Sequence, residues 1–167
     1  MNARRVTMTA AALSVGLFTL EAPVLAHSED LNCHEVRGNL VEVFNPENNT
    51  NTGRLSRGGW LDGTTVSVFN SAAFPSPDPD KVTFSSTFAL TTDQGQLKGI
   101  RRVYLFDLVT GLGVAMTDID STASTGLFAG ATGVLYQNIV KSITVAGPYH
   151  ELVGGKICFA RHDGDER

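Results

Sequence analysis

Between Val82 and Thr91 apolar and polar side chains alternate, with Val82, Phe84, Phe88 and Leu90 on one face and Thr83, Ser85, Thr87 and Thr91 on the other. A period of two marks a half-buried strand. Ser86 falls on the apolar face and interrupts it. Asp93-Gln94-Gly95 then supplies turn formers, and Leu97 to Leu108 reads as a long strand with apolar residues on both faces. Two such runs on either side of a short turn predict a β-hairpin. Beyond the N-terminal stretch, no segment repeats apolar residues at the i, i+3, i+4, i+7 spacing of a buried helix face. The chain is therefore expected to be all-β.

Other segments extend this pattern. Val36 to Phe44 and Thr64 to Phe69 read as strands, as do Val114 to Asp120 and Leu152 to Arg161. Thr132 to Val140 and Ser142 to Ala146 read as one bent strand or two. Asn45 to Gly53 contains turn formers and no apolar residue, so it is expected to be a loop. Phe74 to Asp80 carries three alternate prolines, which remove backbone donors and argue against regular structure. Seventeen glycines suit a chain of strands and turns. About seven or eight short strands leave two architectures, a closed antiparallel barrel or a β-sandwich.

The first residues have the layout of an export signal. Arg4 and Arg5 precede an apolar run from Met8 to Leu20, and Val24-Leu25-Ala26 provides a small-x-small cleavage site. The run is shorter than the roughly 20 residues needed to span a bilayer. Residues 1–26 are thus expected to be a signal peptide and 27–167 one domain, secreted or periplasmic, with no membrane segment after cleavage. An uncleaved anchor is the alternative. Charged residues make up 18% of the chain and the net charge is −4, which is not the basic footprint of a nucleic-acid binder. The two cysteines, Cys33 and Cys158, lie too far apart for a local redox or zinc motif. In an oxidising compartment they are expected to pair, which would tie the first strand region to the last. That linkage favours a barrel, where closure makes those strands neighbours and removes exposed edges.

The segment Ser124-Thr125-Gly126-Leu127-Phe128-Ala129-Gly130-Ala131-Thr132-Gly133, followed by Val134-Leu135-Tyr136, resembles one shared by allene oxide cyclases and plant dirigent proteins. Its glycines permit a sharp corner and close backbone approach, while Phe128 would plug the core beneath. The resemblance covers roughly Val36 to Arg161 in strand layout and about ten residues in detail. It implies an eight-stranded antiparallel barrel with an apolar cavity, no metal or organic cofactor, and a homo-oligomer, often a trimer. Those families steer a reactive intermediate by shape. None of their catalytic residues can be carried over here.

Candidate site residues follow from strand parity. Strict alternation puts Arg101, Val103, Leu105 and Asp107 on one face of the long strand and Arg102, Tyr104 and Phe106 on the other. Arg101 and Asp107 inside an apolar cavity would be paired or functional, whereas Arg102 beside Tyr104 could bind a carboxylate or polarise a carbonyl. Glu42 shares a face with Leu40 and Phe44. It is an inward acid if that face is the core, and solvated if Val41 and Val43 are. Tyr136 and Asn138 share a face that could line a cavity. His27, His34, His150 and His162 show no metal-ligand spacing, although His34 and His150 could approach each other in a barrel. These residues suit a cavity that binds a hydrophobic small molecule, either holding it or steering its cyclisation or coupling without a cofactor. The alternative is a non-catalytic interaction domain with a core packed by Phe84, Phe88, Phe106, Phe128 and Phe159. The residues do not decide whether the protein is an enzyme.

Overall fold

The computed structural model describes residues 31–70, 74–75, 78–141 and 148–160. The leader expected at residues 1–26 and the strand expected at 142–146 lie outside the described residues. The elements are β1 (Leu31–Asn45), β2 (Thr50–Ser56), a 3-10 turn (Gly59–Leu61), β3 (Gly63–Phe69), β4 (Phe74–Pro75) and β5 (Lys81–Thr92). They continue with β6 (Gly95–Asp107), β7 (Leu112–Ile119), β8 (Thr125–Gly126), β9 (Thr132–Lys141) and β10 (Tyr149–Ala160). Eight of the strands form a closed antiparallel barrel in the order β1-β2-β3-β5-β6-β7-β9-β10, with β10 returning to β1. The two-residue strands β4 and β8 pair with β5 and β6. The all-β barrel is therefore present, and the sandwich is not.

Sequence neighbours are spatial neighbours throughout the barrel, so short connections suffice. The expected hairpin is the β5–β6 pair, from Lys81 opposite Asp107 to Thr92 opposite Gly95. Closure falls between β1 and β10, paired from Leu31–Ala160 to Glu42–Tyr149. Cys33 stands opposite Cys158 in that ladder and the two form a disulfide. A bond of this kind fits an oxidising environment. Among the described residues, no helix is long and apolar enough to cross a membrane.

Two local expectations need correction. Asn45–Gly53 is not all loop, because Thr50 begins β2 and pairs with Asn45. The inward side chain of that stretch is Asn51, a polar residue, so the usual apolar signal of a strand is missing. Phe74–Pro75 is a short strand on the side of β5 facing away from β6, an edge position that tolerates proline. His34 and His150 do not meet: His34 lies opposite Ile157, whereas His150 lies opposite Val41.

One end of the barrel is filled. Leu40, Leu55, Leu61, Leu90, Leu97, Leu135, Ile157 and Phe128 form its buried core. Phe128 is wholly buried and stacks on Trp60 at 5.7 Å between ring centroids. It is delivered by the β7–β9 connection. Asp120 starts that segment by accepting from the backbone N–H groups of Thr122 and Ala123. Gly126 and Gly130 bend the segment with φ of 63° and 75°, left-handed values that side chains with a Cβ resist. The sequence expectation that this glycine-rich corner seats Phe128 in the core holds. The opposite end is lined by a smaller cluster of Val103, Phe106, Ala115 and Ile139, with Val82, Phe84 and Tyr149 against it.

Candidate functional site: a cavity over a buried ionic belt

The smaller cluster does not fill its end of the barrel. A cavity of about 340 Å³ remains, walled by Phe44, Phe69, Phe84, Val103, Phe106, Ile139 and Tyr149. Its floor is polar: Asn51, Ser86, Arg101 and Glu151 all reach it. Asn49 and Leu108 also line it, from the connections after β1 and β6. The size falls at the lower edge of the range of about 300–1,000 Å³ typical of small-molecule sites.

The floor belongs to a belt to which every barrel strand contributes a buried polar side chain. These are Glu42 of β1, Asn51 of β2, Thr65 and Ser67 of β3, Ser86 of β5, Arg101 of β6, Thr117 of β7, Gln137 of β9 and Glu151 of β10. Arg101 is its centre. One guanidinium nitrogen donates to Glu42 Oε2 at 2.7 Å, and the other donates to both carboxylate oxygens of Glu151. Glu42 also accepts from Thr65 Oγ1 at 2.9 Å and from Asn51 Nδ2 at 3.3 Å. Gln137 Nε2 donates to Thr117 Oγ1 at 2.9 Å. Isolated charges buried this deeply would cost several kcal/mol each, so pairing and added hydrogen bonds are what make the belt tolerable.

Arg101 supplies one positive charge against two carboxylates. Burial pushes the Glu151 carboxyl up to about 7, with Arg101 opposing that rise and the neighbouring Glu42 charge adding to it. Burial also works against the Arg101 charge, but Glu151 and Glu42 outweigh it and hold the guanidinium more firmly protonated than usual. Burial raises the Tyr149 phenol above its ordinary value. Two atoms of the cavity floor, Asn51 Oδ1 and Arg101 Nε, are buried without a hydrogen-bond partner.

The candidate residues divide. Glu42 and Arg101 point inward and touch, 59 positions apart in sequence. The face of Leu40 and Glu42 is the buried one, while Val41 and Val43 are exposed. Arg102, Tyr104, Tyr136 and Asn138 are exposed on the outside of the barrel, which corrects their placement as cavity-lining residues. Arg102 instead pairs with Asp118 on the outer surface. Asp107 is also outside the cavity: it caps the β6–β7 turn, accepting from the N–H groups of Val109 and Thr110 at 2.9 and 2.8 Å. Those hydrogen bonds hold its carboxyl below the ordinary carboxylate value.

One irregularity accounts for the parity errors on β6. The ladders to β5 and β7 both slip at Tyr104-Leu105, so Phe106 rejoins the inward face of Arg101 and Val103, and Leu105 turns outward. A bulge inserts residues without a change in composition, so alternation alone misses it. On β9 the inward residues are Leu135, Gln137 and Ile139, leaving Tyr136 and Asn138 outside.

Glu151, Asn51, Ser67 and Gln137 were missed by the sequence reading. Glu151 sits two residues before Val153, and Val153 and Ile157 are both buried, so extending the last strand to Tyr149 would have aimed it inward. Ser86, already conspicuous on an apolar face, is a cavity residue. Compared with protein-family models, curated proteins and solved structures, the chain matches none.

Proposed function

We propose that the protein is an exported small-molecule binder whose ligand lies in the barrel cavity with its apolar part against the aromatic wall and a polar group at the Arg101–Glu151 floor. The observation carrying this is the contrast between the two ends of one barrel. The plugged end is filled by Phe128, whereas the other retains about 340 Å³ above polar atoms that lack partners. Open space above buried polar groups is a poor use of a barrel unless something enters it. The resemblance of the Ser124–Tyr136 segment to allene oxide cyclases and dirigent proteins implies a cavity of the same kind. A ligand held rigidly in such a space could also be steered through cyclisation or coupling, since orientation alone lowers barriers.

The test uses N-phenyl-1-naphthylamine, a neutral apolar fluorophore. Saturable binding of one probe per chain, lost in Ser86→Phe without loss of cooperative melting, is the expected result. Failure of the wild-type protein to bind it would overturn the reading. Native mass spectrometry of protein recovered without added ligand would show any molecule retained in the cavity.

A second reading has its own observation. Leu152, Asn138, Val114 and Leu105 stand side by side across β10, β9, β7 and β6 on the outer face, with Val140 and Leu112 in an adjacent row. The five apolar members of these rows are at least 40% exposed. An apolar strip of this kind suits a protein contact, including the homo-oligomer that the family resemblance implies. Light scattering at micromolar concentration distinguishes them: a monomer excludes the oligomer, and Val114→Lys should dissociate one.

A further inference from the structure

We propose that the cavity selects a hydrophobic organic monocation, an amine or quaternary ammonium, with its charged group beside Glu151 and Asn51 and its apolar part among the aromatic rings. This rests on the reading of the cavity as a ligand site and narrows its ligand to one chemical class.

Charge counting is the first argument. Glu42, Arg101 and Glu151 together carry a net negative charge when both carboxylates are ionised, and Arg101 donates through both of its terminal nitrogens to those carboxylates. The guanidinium is already committed, so an incoming carboxylate would find no free cation and would add a third negative charge to a buried site. An ammonium group instead supplies the positive charge that the belt lacks.

The wall is the second argument. Phe44, Phe69, Phe84, Phe106 and Tyr149 all line the cavity. Their rings pack in tilted or edge-on pairs, Phe44–Phe69 at 5.5 Å, Phe69–Phe84 at 5.1 Å and Phe106–Tyr149 at 5.9 Å. Aromatic faces are electron-rich and attract organic cations as well as apolar groups. A third observation points the same way. Asn51 gives its amide nitrogen to Glu42, which leaves Oδ1 as a buried acceptor with no partner at the cavity floor. An N–H donor brought to the floor would satisfy it once the side chains that close it off shift aside. Arg101 Nε is the opposite case, a lone donor whose charge two carboxylates already balance, and a neutral oxygen suffices there.

The titratable and charged groups facing Glu151 are Glu42 from β1, Arg101 from β6 and Tyr149 from its own strand. With Glu151 titrating at about 7, a proton occupies its carboxylate in the empty cavity below neutrality. The organic cation would displace that proton, so its affinity should fall by up to about tenfold per pH unit below that point.

The experiment compares 4-phenylbutylamine, 4-phenylbutanol and 4-phenylbutanoate as displacers of N-phenyl-1-naphthylamine at pH 8 and pH 5.5. The amine is expected to bind about tenfold or more tightly than the alcohol at pH 8, with the carboxylate weakest. One such factor corresponds to about 1.4 kcal/mol. The preference should shrink at pH 5.5, and again in Glu151→Gln once melting shows that variant folded. Should the variant not fold, the pH comparison on the wild type carries the test alone. Equal or tighter binding of the alcohol or carboxylate at pH 8 would overturn the charge assignment while leaving the ligand cavity standing. Absence of fluorophore binding would overturn both.

Discussion

Arg101 shows how much one side chain can hold together. Replacing it with Met would leave Glu42 and Glu151 buried side by side, 0% and 3% exposed, with no counter-charge. Breaking a buried ion pair from one side costs about 3–5 kcal/mol, and urea denaturation at pH 8 should show a loss of that order. Replacing Arg101, Glu42 and Glu151 together with Met, Leu and Leu should recover most of it, because apolar residues of similar volume remove the desolvation problem. Glu151 carries a separate signature. Its carboxyl binds a proton more readily folded than unfolded, with a value near 7 against an ordinary 4.5. Between those two pH values the native state holds more protons, so stability falls as pH rises and levels off above 7. The slope is at most about 1.4 kcal/mol per pH unit for one group. Glu151→Gln should flatten that portion of the stability profile, and urea midpoints at pH 5 and pH 7.5 measure it. Some of these residues were legible from sequence. Glu42 between inward-capable neighbours and Ser86 on an apolar face both stood out, because a polar residue where a core residue belongs is unusual. Asn51 and Glu151 were hidden, one in a run of turn formers and the other at a strand start placed too late.

At the level of strands and connections, the alternating hairpin was readable because each face of β5, Ser86 apart, has one character. β6 was readable as a strand but its faces were not, since a bulge at Tyr104-Leu105 exchanges them halfway along and leaves no mark in composition. Polar inward residues obscured β2 for a related reason: strand detection looks for the apolar face that the ionic belt has replaced. The β7–β9 connection is the element most dependent on a single residue. Phe128→Ala should cost about 3–5 kcal/mol, the usual loss for a fully buried phenylalanine, and thermal melting would register it. The same substitution should leave fluorophore binding intact if the protein is held below its lowered midpoint, because Phe128 does not line the cavity. The disulfide acts on the unfolded chain instead. It joins residues 125 positions apart, and the chain-entropy argument gives roughly 4–5 kcal/mol for a loop of that length. Cys33→Ser with Cys158→Ser should therefore lower the denaturation midpoint while leaving the ladder from Val36 to Glu42 to hold β1 on β10.

The barrel as a whole was foreseeable in class but not in interior. Short alternating runs, absent helical periodicity and two distant cysteines together pointed to closure. What lies inside depends on the inward register of eight strands at once, and a one-residue slip in any of them exchanges its inner and outer residues. Tyr136 and Asn138 were lost to the outer face in this way, while the belt became visible only when all strands were in register.

Phe128, Trp60 and the cysteine pair all lie at the plugged end, whereas the β1–β2 and β6–β7 links bring Asn49 and Leu108 to the cavity at the other. Those two links are separate in sequence, and neither contributes to the plug. The fold therefore divides labour by pole, with an anchored base and independently exchangeable segments beside the cavity. A lineage could retune what enters by grafting either of those segments, with the foundation of the molecule unaltered.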